Sequence, residues 1–343
     1  MISALPLEWL LLVFAAAGMV VIATSIRATQ LADVIADRTR LGEALVGGIL
    51  LGAATSLAGT VVSVNAAAGG DASFAVSNAV GGIAAQTLFL VIADLLYRGT
   101  NLEHAAAEPA NLFQAVMLLV LLSLPVLAFA GPDVAVFGVH PISLVLFLTY
   151  LAGVKGAAMV SAKPMWEPVE TAQTRHDEPE AESEPQKPVL KPAILFVALV
   201  AVMGGCGFVI SQVGATFIAR FGLASSLVGA LLTAVVTSLP ELVTTLVAVH
   251  RRALQLAVGG IIGGNTFDTL FLVLSDIAYR EGSIYNAMGL NDLYWLATGL
   301  VMTGILLAGL IFRQREGPGR IGIESVLLMA VYGSAVAVEV MGL

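Results

Sequence analysis

Two carboxylates stand inside runs that are otherwise apolar. Glu241 lies near the middle of the run at about 224–249, and Asp268 near the middle of the next, at about 254–279. A carboxylate at membrane depth is costly unless it is paired, hydrated or ligated, so such a residue reads first as functional. Thr237, Ser238 and Glu241 stand at i, i+1 and i+4, which puts Thr237 and Glu241 on one helix face with Ser238 beside them. Pro240 has no N–H, so it frees the carbonyl of Val236 and tends to kink the helix. The set offers a carboxylate, two hydroxyls and a loose carbonyl, hard oxygen ligands suited to Ca²⁺ or Na⁺. Asp268 follows Gly259-Gly260-Ile261-Ile262-Gly263-Gly264-Asn265, a stretch in which another backbone can approach closely and Asn265 can ligate an ion or tie down a backbone group. No Lys or Arg is placed at that depth, which favours a bound cation or a proton. The competing reading is glycine-lined helix packing, with both acids paired to polar neighbours.

The elements that position these residues are membrane spans. The chain has 343 residues, of which 58% are hydrophobic and 12% charged, and a mean hydropathy of +0.93. A soluble domain carries about 25% charged residues. The apolar blocks meet the roughly 20 residues needed to cross a bilayer, which excludes a secreted disulfide scaffold, a nucleic-acid binder and an ordinary cytosolic enzyme. Ten spans are expected, at about 7–27, 42–66, 73–97, 111–130, 136–158, 192–218, 224–249, 254–279, 289–312 and 322–341. The stretch between the fifth and sixth, rich in Glu, Pro, Lys and Gln, cannot bury enough apolar surface to fold. It divides the chain into a first five-helix unit (1–160), a disordered linker (161–191) and a second five-helix unit (192–343). With the N-terminus outside, the inner loops hold 14 of the 16 Lys and Arg residues. This positive-inside pattern predicts a cytoplasmic linker, outside termini and a multi-pass protein of the cell (inner) membrane. Cys206 stands alone and forms no internal disulfide.

Shifting the chain against itself by 182 residues aligns 52–98 with 234–280 without a gap, with about 17 of 47 positions identical. Thr55-Ser56-Leu57 meets Thr237-Ser238-Leu239, and Thr87-Leu88-Phe89-Leu90-Val91 meets Thr269-Leu270-Phe271-Leu272-Val273. Each half has an odd number of spans, so the two copies enter the membrane from opposite sides. The expected fold class is therefore all-α and polytopic, ten transmembrane helices arranged as two inverted five-helix repeats, with a site where the copies meet near the midplane. In the first copy the counterparts of the polar residues are Thr55, Ser56, Asn78 and Gln86, while Gly59 matches Glu241 and Ala58 matches Pro240.

Thr237-Ser238-Leu239-Pro240-Glu241 and the stretch from Gly259 to Asp268 resemble the two α-repeat motifs of the Ca²⁺:cation antiporter superfamily, which includes the sodium/calcium exchangers. The resemblance covers both halves and all ten expected spans. It implies that Glu241 and Asp268 bind the transported cation, with Thr55, Ser56, Thr237, Ser238 and Gln86 adding oxygens. The chain departs from the motifs at Gly59, where the family usually has a glutamate. It departs again at Gly82 and Gly264, where serines are common, and at Ile83, which replaces an asparagine.

Two carboxylates can neutralise one divalent ion, two Na⁺ or two protons. The expected function is secondary active antiport of Ca²⁺ or another divalent cation against Na⁺ or H⁺ by alternating access, the first two helices of each half sliding against the repeat core. Exchange of Na⁺ or K⁺ for H⁺ is the alternative within transport, and a cation sensor that does not transport is the alternative outside it. No aspartyl-protease motif, Ser/His pair or HExxH is present, so an enzyme is not expected. Nor is a prosthetic cofactor, and the expected partners are inorganic cations and the lipid bilayer. Asp94 and Asp276 each have an Arg four positions later and read as i,i+4 ion pairs near the interface. The four histidines show no metal-ligand spacing.

Overall fold

The computed structural model describes residues 2–39, 43–97, 100–106, 108–171, 174, 188–315, 317 and 321–342; for residue 33 and the helical residues among 36–54 it describes the backbone only. In chain order, α1 (Leu7–Thr39) and α2 (Glu43–Ala68) are followed by α3 (Ala72–Leu96), the short α4 (Leu102–Ala105), α5 (Pro109–Ala130) and α6 (Pro141–Ala162). Next come α7 (Leu190–Phe221), α8 (Ser225–Leu227), a π-helical stretch at Val228–Thr233, α9 (Ala234–Thr237) and α10 (Leu239–His250). The chain closes with α11 (Leu254–Asp268), α12 (Leu270–Ala278), α13 (Ile284–Ala287), α14 (Leu290–Phe312) and α15 (Ile323–Met341). Among the described residues there is no β-strand, and the one isolated bridge joins Val136 to Val139.

Among the described residues, eight helices are long and apolar enough to cross a membrane, or nine if the bent pair formed by Ser225–Thr237 and Leu239–His250 is one span. Their outward faces carry large apolar side chains, among them Leu11, Leu12, Met19, Leu144 and Leu148, whereas Ser63, Asn78, Gln86, Asn265 and Thr233 are buried. A surface that is apolar and an interior that holds the polar groups is the arrangement a bilayer requires.

The core forms around α3, which packs against α2, α11, α14, α15 and the π-helical stretch. That last contact depends on glycine. A Cβ at Gly81 would run into the backbone of Ala230, and one at Gly229 would lie 2.8 Å from Ser77 Cβ. The long helices α1 and α7 pack along each other and against α2.

Two buried aspartates tie the ends of the core together. Asp94, near the end of α3, accepts from Leu102 N at 2.8 Å, Gly322 N at 3.2 Å and Ser325 Oγ at 2.9 Å. Asp276, near the end of α12, accepts from Ile284 N at 3.0 Å, His140 N at 2.8 Å and Ser143 Oγ at 2.7 Å. Every partner in the first set stands 182 residues from its counterpart in the second. Each aspartate thus caps the start of a distant span, α15 for Asp94 and α6 for Asp276, where orphan N–H groups need an acceptor. The expected ion pair between Asp276 and Arg280 does not form, because Asp276 spends its oxygens on these donors while Arg280 is exposed. Arg98, the partner expected for Asp94, lies outside the described residues.

The segment from Lys163 to Thr171, the start of the expected linker, lies against the helices. Thr171 Oγ1 meets His104 Nε2 at 2.9 Å, and Arg313 donates to the Val169 carbonyl at 2.7 Å. Residues 172–173 and 175–187, most of the stretch expected to be disordered, lie outside the described residues.

Replacing Asp276 with Ala removes the acceptor from two buried N–H groups and a buried hydroxyl, each of which costs about 1–3 kcal/mol when left unmet. Asp276→Ala is expected to lower the thermal midpoint in detergent sharply, while Arg280→Ala shifts stability by less than about 0.5 kcal/mol. Equal effects of the two substitutions would restore the ion-pair reading.

Candidate functional site

The second-half copy of the repeat breaks its helices where the carboxylates stand. The π-helical stretch leads into α9, the chain turns at Ser238, and α10 departs at 42° to the preceding segment. Pro240 fits the first turn of α10, where no intrahelical N–H is needed. Glu241 lies in that same turn, at the positive end of the helix dipole. Asp268 is the last residue of α11, and Thr269, whose backbone stays in the helical region, joins it to α12 within one span, Leu254–Ala278. The first-half copy has no such breaks: α2 and α3 run continuously through Ala58, Gly59 and Gln86.

The two carboxylates meet at the centre of the fold, between α2 and α3. Glu241 Oε1 accepts from Ser56 Oγ at 3.1 Å, and Asp268 Oδ2 accepts from Gln86 Nε2 at 2.6 Å. The same Gln86 nitrogen reaches Ser238 Oγ at 3.2 Å. Thr55 lies beside Glu241, and Ser56 beside Asp268 as well. Gln86 and Asp268 are each other's counterparts in the repeat, and each contacts the repeat serine of the other copy. Tyr150, from α6, is buried and lies close enough to feel the charge of Asp268.

These contacts leave acceptors unmet. Glu241 Oε2, Asp268 Oδ1 and Gln86 Oε1 are buried with no hydrogen-bond donor, as is Asn265 Oδ1. The first three of these oxygens lie together, an arrangement that can hold a hard cation or take up protons. Among the described residues, no group of three or more His, Cys, Asp or Glu side chains is placed to hold a metal ion. A cation at the centre would therefore meet two carboxylates, with neutral oxygens for the rest.

Of the eight residues the sequence singles out, six gather here: Glu241, Asp268, Gln86, Thr55, Ser56 and Ser238. Thr237 directs its hydroxyl to the carbonyls of Thr233 (2.9 Å) and Ala234 (3.3 Å) in its own helical segment. Asn265 donates to Thr87 Oγ1 at 3.0 Å, one turn of α11 away from Asp268. Asn78 is occupied as well. It donates to the Gly59 carbonyl (3.1 Å) and Ser63 Oγ (2.9 Å) and accepts from Thr233 Oγ1 (2.7 Å).

The departures from the motif have physical counterparts. A Cβ at Gly82 would lie 3.4 Å from Ser238 Oγ and 3.9 Å from Asp268 Oδ2, so a side chain there would enter the site. A Cβ at Gly59 would lie 2.9 Å from Phe271 Cε2 and 3.3 Å from Thr237 Oγ1. The ring of Phe271 occupies the space into which the usual glutamate would grow. Nothing in the local sequence signals this, because Phe271 reads as one more apolar residue of its span.

The family described as sodium/calcium exchanger protein matches residues 9–155 and 191–341, which is most of the chain. The chain belongs to the sodium/calcium exchanger family. CaxA of Alkalimonas amylolytica, a protein carrying an antiporter's name, is 31% identical over 157 residues, 45% of this chain and 47% of that relative, so the match spans about half of each. Among solved structures, the sodium-calcium exchanger NCX_Mj superposes with a TM-score of 0.61 at 17% identity, covering 96% of this chain and 97% of the other. The H⁺/Ca²⁺ exchanger CAX gives a TM-score of 0.63 at 12% identity, covering 97% and 86%. The protein therefore has the all-helical, multi-pass membrane fold of these exchangers.

Adding a methyl group at Gly59 tests the packing against Phe271. Gly59→Ala is expected to cost about 1–3 kcal/mol by overpacking, and Phe271→Leu in the same chain should recover part of that loss. A double-mutant cycle on unfolding midpoints should show coupling above about 0.5 kcal/mol; additive effects would mean that the ring does not fill that space.

Proposed function

We propose that this member of the family is a secondary active antiporter that exchanges Ca²⁺, or another divalent cation, for Na⁺ or H⁺ at the central site by alternating access. The observation that carries the reading is the set of buried, donor-free oxygens of Glu241, Asp268 and Gln86, beside which no basic side chain stands among the described residues. A divalent cation would sit against both carboxylates, with Gln86, Ser56, Ser238 and Thr55 completing its shell and Thr237 and Asn265 lending oxygens from one turn away. The shell includes neutral hydroxyl and amide oxygens, ligands that suit Ca²⁺ and Na⁺ alike.

Charge balance sets the stoichiometry of this reading. Two carboxylates are neutralised by one divalent ion, by two Na⁺ or by two protons, so the exchange would be closer to electroneutral than through a site with three carboxylates. The absence of a side chain at Gly59 also favours a second reading, exchange of Na⁺ or K⁺ against H⁺.

In this reading α2 and the broken span through α8–α10 bring the membrane crossings to ten, as two inverted five-helix repeats with the connecting linker in the cytoplasm and the termini outside. The α1–α7 pair, packed on each other outside the α3-centred core, would slide against it to open the site to each side in turn.

The test is ⁴⁵Ca²⁺ uptake into proteoliposomes of the purified chain, loaded with Na⁺ and diluted into Na⁺-free buffer. Sodium-driven uptake is expected in the wild type and its loss in Glu241→Gln. Uptake by Glu241→Gln at the wild-type rate would overturn the site assignment, and no uptake by folded wild type would favour the monovalent reading.

A further inference from the structure

Glu103, in the short helix α4, is fully buried, and neither of its carboxylate oxygens has a hydrogen-bond donor. It lies outside the spans and far along α3 from the central site. Its acidic neighbours are Asp94, at the end of α3, and Glu324, in the first turn of α15, whose carboxylate stands beside it. Those two acids are provided for. Asp94 takes two backbone N–H groups and the Ser325 hydroxyl, and Glu324 Oε1 takes Asn101 Nδ2 at 2.7 Å. Glu103 has these acids and its own backbone N–H beside it, and no donor from another residue among those described.

The remaining charged groups around α4 are turned elsewhere. The His104 ring contacts the Arg313 carbonyl and Thr171, and the Arg313 guanidinium is held by Val169, His104 and Thr174 oxygens. Arg315 is exposed and offers its backbone carbonyl to Asn101 N and Thr100. The packing faces of α11 and α14 present Leu254, Ala257, Val258, Leu306 and Leu310. Arg98 and Arg320 lie outside the described residues.

The other copy of the repeat makes a different contact, because Ile142 stands where this copy has Glu324 and Ser143 where it has Ser325. The counterpart of Glu103 is Tyr285, whose hydroxyl lies 2.9 Å from Ser143 Oγ beside Asp276. A phenol brings its own hydrogen to the contact, and a carboxylate does not. Two carboxylates in contact in a buried place can bond only through a hydrogen held between them.

We propose that Glu103 and Glu324 form a second ion-binding site, which takes one shared proton and fastens α4 to the start of α15. A metal ion fits the same place poorly, because no three acids among the described residues are grouped to hold one and the Asp94 oxygens are already engaged. Burial, with Asp94 and Glu324 adding to it, holds the Glu103 carboxyl well above the usual carboxylate range. The folded chain therefore keeps a proton that the unfolded chain releases near the ordinary glutamate value of about 4.3. The stability this contributes is complete below that value and is lost as pH rises through the raised one. Above it, adjacent buried charges would push α4 away from α15.

The experiment uses the full chain carrying Glu241→Gln and Asp268→Asn, so that the central acids do not titrate. Its thermal midpoint in detergent is followed from mildly acidic to alkaline pH, with and without Glu103→Gln added. The background protein should lose several degrees toward alkaline pH. Glu103→Gln should flatten that fall, since its amide donates to Glu324 at every pH. An undiminished fall in Glu103→Gln overturns the proposal. So does a Ca²⁺-induced rise in the background midpoint that Glu103→Gln abolishes, which would make this a metal site. Should Glu103→Gln fail to fold, infrared spectra of the background protein decide. A protonated-carboxyl band that Glu324→Gln shifts, and that alkaline pH removes, supports the shared proton, and absence of such a band overturns it.

Discussion

Negative charge buried without a basic side chain to meet it is the constraint around which this molecule is organised. Glu241 and Asp268 lie at the centre of an apolar fold, contacted by hydroxyls and one amide. Such neighbours soften the cost of desolvation without cancelling the charge. The donors are also too few, so part of each carboxylate faces nothing that can bond to it. An interior of this kind is one that a cation or a proton can complete. The polar residues of the core can be sorted by this criterion. Asn78, Ser63 and Thr233 satisfy one another and hold α2, α3 and the π-helical stretch together; Gln86, Ser56 and Ser238 leave room for a further charge.

The repeat supplies the scaffold, and its asymmetry supplies the site. At the two ends of the core the copies agree contact for contact, with Asp94 and Asp276 capping distant spans through equivalent partners. At the centre they diverge. The second copy has a proline, two carboxylates and broken helices, and the first has continuous helices with Ala58, Gly59 and Gln86. A break in one copy frees backbone and aims a helix end at the centre, while unbroken α3 gives the packing against which that break is held.

Hydropathy makes the helical membrane fold legible, and the spacing of the repeat singles out six residues that the fold gathers at its centre, because both are written in short-range patterns. Gln86 was found through register alone: its polar partner is the residue at its own repeat position. What stayed hidden depended on contacts between remote segments. Asp94 and Asp276 looked like ion pairs because an arginine stands four residues away, whereas Asp276's donors include His140 and Ser143, more than a hundred positions distant in sequence. Glu103 carried no signal in the chain, since a glutamate in a connector between spans reads as solvated. Its burial is decided by how α3, α4 and α15 come together. Thr237 and Asn265 have the right composition for ligands, yet local geometry turns them toward helix carbonyls and Thr87.

The ring of Phe271 against Gly59 has a consequence for how such a protein can change. A missing carboxylate suggests a vacancy that one substitution could refill, but here the room has been taken. Restoring a glutamate at position 59 while the phenylalanine remains would force a charged side chain into an occupied volume. The order of events therefore matters: position 271 must shrink before position 59 can grow. The route back to a third acid passes through an intermediate with a hollow beside the site, a loosened form that a population of variants would have to cross. Position 59 is closed to a larger side chain by the ring beside it, a steric ratchet that acts apart from any count of charges.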